Sequence, residues 1–275
     1  MQSNLVDLHM HSNCSDGKLT PSALAEMVSR AGIRAFALTD HDTLQGLQEA
    51  EAAAQSLKIE FVPGVEVSAS LADREIHILG YYPKNLKLLS QVLDRIRRNR
   101  YTRMKKMIDL LIQEGFKIKM EDILQEAGSA APGRLHLARV LVNKRYVVNI
   151  DQAFSLYLGK GKAGYAKRTL LTAEAIIKHL RESGAVTVLA HPKKEGREDP
   201  ELLINYGLQG IEVYHPDHSE QQVLYYRKLA KKYNLVITGG SDYHGDTNGS
   251  KGSLKKQAID YIYLDILKNA AGAGR

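Results

Sequence analysis

The chain is poor in sulfur. A single cysteine, Cys14, among 275 residues excludes an internal disulfide and suits a reducing compartment. It has no apolar run of the roughly 18 residues that a membrane-spanning helix needs, so no membrane partner is expected. An apolar strand begins within a few residues of Met1, leaving no room for a signal peptide, and a cytoplasmic location is expected. The chain shows no internal repeat and no low-complexity tract. What is present is an ordinary globular composition, 44% hydrophobic and 25% charged. The net charge of +7 favours anionic substrates only weakly.

Strand and helix signals alternate. Leu5–His11, Ala35–Asp40, Glu60–Ser68, Glu75–Tyr82, Ala185–His191, Gly210–His215 and Leu235–Gly239 read as seven strands. Thr20-Pro21 opens a helix as N-cap and first-turn proline, and Gly32 closes it. Further helices are expected over Leu44–Leu57, Ala173–Glu182 and Gln221–Tyr233. Repeated strand–helix units predict a parallel sheet closed as an α/β barrel, with its active site at the C-terminal strand ends. A long helix from Leu86 to Gln113 breaks the alternation and opens a helical insertion. The expected division is a discontinuous barrel, 1–85 and 166–265, with a helical cap subdomain at 86–165. The tail from Ala270 is expected to fray.

The histidines gather at those strand ends. His9 and His11 stand at i and i+2, so both project to one side while Met10 faces the other. Asp242 and His244 repeat that spacing after Gly239-Gly240, where the backbone can turn sharply. Glu66 sits between Val65 and Val67, where a buried carboxylate needs a partner or a metal. His41 lies between Asp40 and Asp42, His77 between Ile76 and Ile78, and His191 ends an apolar strand before Pro192. Singly each is more often a core residue than a ligand; jointly they read as ligands for several metal ions. Cys14 reads as a bystander.

These segments resemble the PHP (polymerase and histidinol phosphatase) family of metal-dependent phosphoesterases. The likeness rests on Asp7-Leu8-His9-Met10-His11-Ser12, Ser15-Asp16-Gly17, Thr39-Asp40-His41-Asp42, Gly64-Val65-Glu66-Val67-Ser68, His77-Ile78-Leu79-Gly80-Tyr81, Ala190-His191-Pro192 and Gly240-Ser241-Asp242-Tyr243-His244. It implies a distorted seven-stranded TIM-like β/α barrel and two or three divalent cations, manganese first, with iron or zinc as alternatives. The first site would be held by His9, His11, Glu66 and Asp242, the second by Glu66, His77 and His191, and the third by Asp16, His41 and His244. Many family members have histidine where Asp16 stands, so the third site is harder here. Asp40 is expected to orient the His41 imidazole. Asp42 reads equally as an orienting group or a loop cap.

Three further residues complete the expected catalytic set with Asp16. Arg134 and His136 lie in Gly133-Arg134-Leu135-His136, similar to a Gly-Arg-Pro-His segment of related phosphatases that reaches the substrate phosphate; Leu135 departs from it. His218 resembles a substrate-contacting histidine of the nucleotide phosphatases, a candidate proton donor to the leaving group. Arg95, Arg97, Arg98, Arg100, Arg103, Lys105 and Lys106 make the long helix basic, which allows nucleic-acid contact but reads first as a solvated face. The expected substrate is a small phosphorylated molecule, a nucleotide such as a 3',5'-bisphosphonucleotide or AMP, or the 5' end of short RNA. The alternatives are a histidinol phosphate phosphatase and a non-catalytic module supporting a partner.

Overall fold

The computed structural model describes residues 4–72, 74–128, 130–192, 200–245, 254 and 258–272. Eight apolar segments form the strands β1 (Leu5–Asp7), β2 (Ala35–Leu38), β3 (Glu60–Leu71), β4 (Arg74–Tyr81), β5 (Val186–Leu189), β6 (Gly210–Tyr214), β7 (Val236–Gly239) and β8 (Ile259–Asp260). Their order is β7-β6-β5-β4-β3-β2-β1-β8. Beyond β1 and β7 the chain continues the ladder. The Leu8 N–H donates to the Gly239 carbonyl at 3.1 Å, and the Asp242 N–H donates to that of His9 at 2.9 Å. The sheet therefore nearly closes into a barrel, as expected of this fold class.

Strand direction departs from the expectation of an all-parallel sheet. β3 and β4 pair antiparallel with Ser68 opposite His77, and β4 and β5 are antiparallel too. The cause is the connection: β3 ends at Leu71 and β4 begins at Arg74, far too short a link for a crossover helix. His77 thus lies toward the start of its strand, and the reversal returns it to the barrel end that holds the other histidines. β8, antiparallel to β1, is an eighth strand of two residues, too short to leave a sequence pattern.

The helices are α1 (Pro21–Arg30), α2 (Leu47–Leu57), α3 (Leu86–Gln113), α4 (Met120–Ala127), α5 (Arg134–Asn143), α6 (Ile150–Ala153), α7 (Ala173–Glu182), α8 (Pro200–Asn205), α9 (Glu220–Tyr233) and α10 (Tyr261–Ala271), with a π-helical turn at Phe154–Leu158. Thr20 caps α1 by accepting from the Ala23 N–H, and Pro21 fills its first turn. Ala270 and Ala271 complete α10, which Gly272 ends with φ 63°; the rest of the tail expected to fray, 273–275, lies outside the described residues. The apolar residues that hold α10 in place, Leu264 and Leu267, are fully buried.

The chain divides into two compact units, Met1–Leu93 with Leu171–Arg275, and Asp94–Leu170, the boundary falling inside α3. In the barrel unit one apolar layer joins Val6, Leu8, Val62, Leu79 and Val188 to Leu264 and Leu267 of α10. A second joins Met10, Phe36 and Leu38 to Leu24, Val28 and Ala50 of α1 and α2. The helical unit has its own core, including Met107, Leu111, Phe116, Ile123, Leu137 and Leu141. No helix among the described residues is long and apolar enough to cross a membrane.

Candidate metal centre

His9 and His11 follow β1 on its ladder with the β7 extension, and alternation sends both rings to the same side. Met10 between them packs into the opposite layer. His9 Nε2 lies 3.1 Å from His11 Nε2, 3.2 Å from Glu66 Oε2 and 3.5 Å from Asp242 Oδ1. His11 Nε2 lies 3.3 Å from Glu66 Oε2 and 3.2 Å from Asp242 Oδ1. Donor atoms about 2.1 Å from a shared cation stand about 3.0–3.4 Å apart in octahedral or tetrahedral coordination. The four residues expected at the first site have that spacing.

Glu66 presents its two oxygens to different partners. Oε2 faces His9, His11 and His41, the last through Nδ1 at 3.1 Å. Oε1 faces His77 Nδ1 and His191 Nε2, both at 2.8 Å. The donors His41, Glu66 and His77 form one compact group, and His11, Asp16, His41 and His244 form another. His191 adjoins the former, with Nε2 3.4 Å from His77 Nδ1. The expected second and third sets are therefore brought together, with His41 shared between them and His11 added to the third. His244 donates from Nδ1 to the Asp242 carbonyl at 2.8 Å, which turns Nε2 toward Asp16 at 3.3 Å.

These residues suit cations better than one another. Glu66 Oε2, His11 Nδ1 and His41 Nδ1 are buried without a hydrogen-bond partner, an expensive arrangement that a cation beside the carboxylate would relieve. Burial pushes the Glu66 carboxyl up, but His41, His77 and His9 together outweigh it and hold it well below the usual range. Burial opposes charge on His11, yet Asp242 and Glu66 raise it to about 10. His77 is likewise raised to about 9, chiefly by Glu66, against burial. Burial pushes His41 down to about 3, more than Glu66 and Asp16 restore, leaving a neutral imidazole. Imidazoles and carboxylates without thiolate are a donor set for borderline and harder divalent metals.

The surrounding wiring differs from the expectation at Asp40. Its Oδ1 accepts from the Ser12 N–H at 2.7 Å and its Oδ2 from the Ser12 hydroxyl at 2.6 Å, while Ser15 donates to Oδ1. Through Ser12 and Ser15, Asp40 ties down the loop that carries Asp16, and its contacts are with those serines and not with the His41 ring. Asp42 accepts from the Ser68 N–H at 2.9 Å and ties the His41 loop to β3.

Glu212, His215 and Asp7 complete the centre and were not anticipated. Glu212, fully buried on β6, receives His9 Nδ1 at 2.9 Å. His215 accepts from the Asp217 N–H on Nδ1, so its Nε2–H donates to Asp242 Oδ2 at 3.4 Å. Asp7 accepts from the backbone of His9 and Ser241, and burial pushes its carboxyl up to about 6. Glu212 carried a readable signal: it stands between Ile211 and Val213 as Glu66 stands between valines.

The centre opens into a cleft of about 390 Å³ whose walls include His215, Asp217, His218 and Gln222. His218 has Nδ1 2.8 Å from the Val213 carbonyl and Nε2 2.9 Å from that of Pro192. Burial lowers the His218 pKa, and the neutral ring has one N–H, so it donates to one of these two carbonyls at a time. In the helical unit, the guanidinium of Arg134 lies 5.6 Å from the centre of the Phe154 ring. His136 is buried there, its Nδ1 accepting from the Gly133 N–H at the start of α5.

The PHP domain family matches residues 7–238. The chain belongs to the PHP domain family. A 3',5'-nucleoside bisphosphate phosphatase of Chromobacterium violaceum is 34% identical, covering 90% of this chain and 89% of the relative. A 5'-3' exoribonuclease of Haemophilus influenzae is 32% identical over 86% and 89%. A phosphoribosyl 1,2-cyclic phosphate 1,2-diphosphodiesterase of Eggerthella lenta is 34% identical over 88% and 94%. A protein of Bifidobacterium adolescentis described as a metal-dependent phosphoesterase superposes with TM-score 0.83 at 29% identity, covering 96% of each chain. The protein is thus a PHP hydrolase of the metal-dependent phosphoesterase kind, and it carries a histidine–carboxylate cluster whose donors could hold metal ions.

Proposed function

We propose that this protein removes phosphate from nucleotides, 3',5'-bisphosphonucleotides foremost, with AMP-like monoesters and the 5' ends of short RNA as further substrates. The observation that carries the reading is the split use of Glu66. One carboxylate joins two donor groups at the floor of a single cleft. His9, His11, Glu66 and Asp242 would hold one cation, and Glu66, His77 and His191 a second, with His41 beside them. Asp16, His41 and His244 would hold a third. Manganese is the proposed metal, since Asp16 adds an oxygen donor to a set without thiolate. When bound, such ions activate water and neutralise phosphoryl charge.

The protein's own groups do the rest. Asp16, Asp40 and the serines around them fix one wall of the site. His215 holds Asp242 in place, and His218 has the Val213 and Pro192 carbonyls in reach of its single N–H. Arg134 and His136 are proposed as phosphate contacts; His136 would need its Nε2, since Nδ1 caps α5. Asp217 in the cleft wall is the one observation that favours the second reading, a histidinol phosphate phosphatase, because a carboxylate suits a cationic amine.

The test is phosphate release with manganese and with chelator. The substrates are 3',5'-bisphosphoadenosine, AMP, a 5'-phosphorylated trinucleotide, histidinol phosphate and a ribose 1,2-cyclic phosphate. The proposal expects preference for the nucleotides, abolished by chelator, and a raised KM in Arg134→Ala. Preference for histidinol phosphate or the cyclic diester would overturn the substrate assignment while keeping the metal centre.

A further inference from the structure

Glu212 meets two of the proposed ligands through different oxygens. Oε1 lies 2.9 Å from His9 Nδ1, and Oε2 accepts from the backbone N–H of His191 at 2.7 Å. The side chain is fully buried. His9 has its other nitrogen, Nε2, among His11, Glu66 and Asp242. A neutral imidazole carries one N–H, so giving Nδ1–H to Glu212 leaves the Nε2 lone pair aimed at the cluster. His191 adopts φ 28°, a region that side chains other than glycine avoid. A fixed acceptor for its N–H holds that turn, and the turn brings His191 Nε2 to 2.8 Å from Glu66 Oε1.

We propose that Glu212 is a positioning residue shared by the two ligand groups that meet at Glu66. It sets the His9 tautomer with one oxygen and the His191 turn with the other. The inference rests on the metal reading above for the roles of His9 and His191. Its chemistry requires two acceptors, which makes the isosteric amide a sharp probe. In Glu212→Gln only one of the two positions keeps an oxygen. If the amide NH₂ faces His9, Nδ1 must accept, the proton moves to Nε2, and that nitrogen can no longer bind a cation. If the NH₂ faces His191, two donors meet at hydrogen-bond distance and the strained turn loses its anchor.

The experiment is zinc binding by calorimetry on wild type and Glu212→Gln, with long-range ¹H–¹⁵N spectra of the histidine rings in the zinc-loaded proteins. Zinc is diamagnetic, and the His9 signals are assigned from a His9→Asn variant. The expected result is zinc affinity weakened about 10–100-fold in Glu212→Gln. In the loaded wild type, His9 should show a protonated Nδ1. A folded Glu212→Gln with unchanged affinity would overturn the proposal. So would wild-type His9 protonated on Nε2, a result that does not depend on the variant folding. Wild type that takes up no zinc or manganese would instead remove the metal reading itself, and this inference with it.

Discussion

At Glu66, five imidazoles compete for the two oxygens of one fully buried carboxylate. Without a cation, those carboxylate charges are balanced by protons, and His11 and His77 are raised to about 10 and about 9. Both rings hold a proton near neutral pH, a cation needs their lone pairs, and uptake must expel the protons. Metal affinity should therefore rise with pH through the neutral range, approaching tenfold per pH unit for each proton released. Calorimetry in buffers of different ionisation enthalpy measures this; more than one proton released per protein at about pH 7.5 is expected, and none released would contradict the arrangement. Much of this was legible because His-x-His on a strand and a carboxylate between valines are unusual as core residues. The wiring was less so. Asp40 sits next to His41 in sequence, but its carboxylate takes its hydrogen bonds from Ser12 and Ser15. Glu212 shows its burial in the flanking Ile211 and Val213, but its pairing with His9 is a long-range fact that one sequence does not carry.

At the level of elements, the centre depends on how tightly the first and last barrel strands join. Gly240 is the point of closest approach. A Cβ there would lie 2.4 Å from the His9 nitrogen and 2.8 Å from Asp7 Oδ1. The neighbours are backbone and a buried carboxylate, so neither can yield cheaply. Gly240→Ala should destabilise the fold by about 1–3 kcal/mol and displace His9 with it. Urea unfolding reads the first effect and metal affinity the second; wild-type values for both would show that the strands have slack there. Periodicity and capping residues placed α1, α3, α7 and α9 well, since each presents a clear start signal or apolar stripe. The direction of β4 was missed because an apolar run looks the same read either way. Only the shortness of the link after Leu71 reveals the reversal, and that clue was present in the spacing.

Across the whole molecule, the proposed ligands run from His9 to His244, and no local segment holds more than three of them, His9, His11 and Asp16; the barrel brings the rest together. Such a centre is formed by folding and not the reverse. The separate cores of the barrel unit and the helical unit agree with this, because the donor groups all belong to the barrel unit, whose apolar layers stand without them. Charge at this scale contributes only a mild preference for anions, +7 on 275 residues. Specificity has to come from the cleft and the groups around it. On the proposed reading, the histidine–carboxylate cluster hydrolyses phosphomonoesters through bound metal. This is tested most directly by stripping the protein with chelator, returning manganese in measured steps, and following phosphate release from 3',5'-bisphosphoadenosine against metal bound. The account predicts no turnover in the stripped protein, activity that climbs with bound metal to a plateau at two or three ions, and none in His9→Ala despite an unchanged circular dichroism spectrum. Full activity without metal, or an undiminished His9→Ala enzyme, would contradict it.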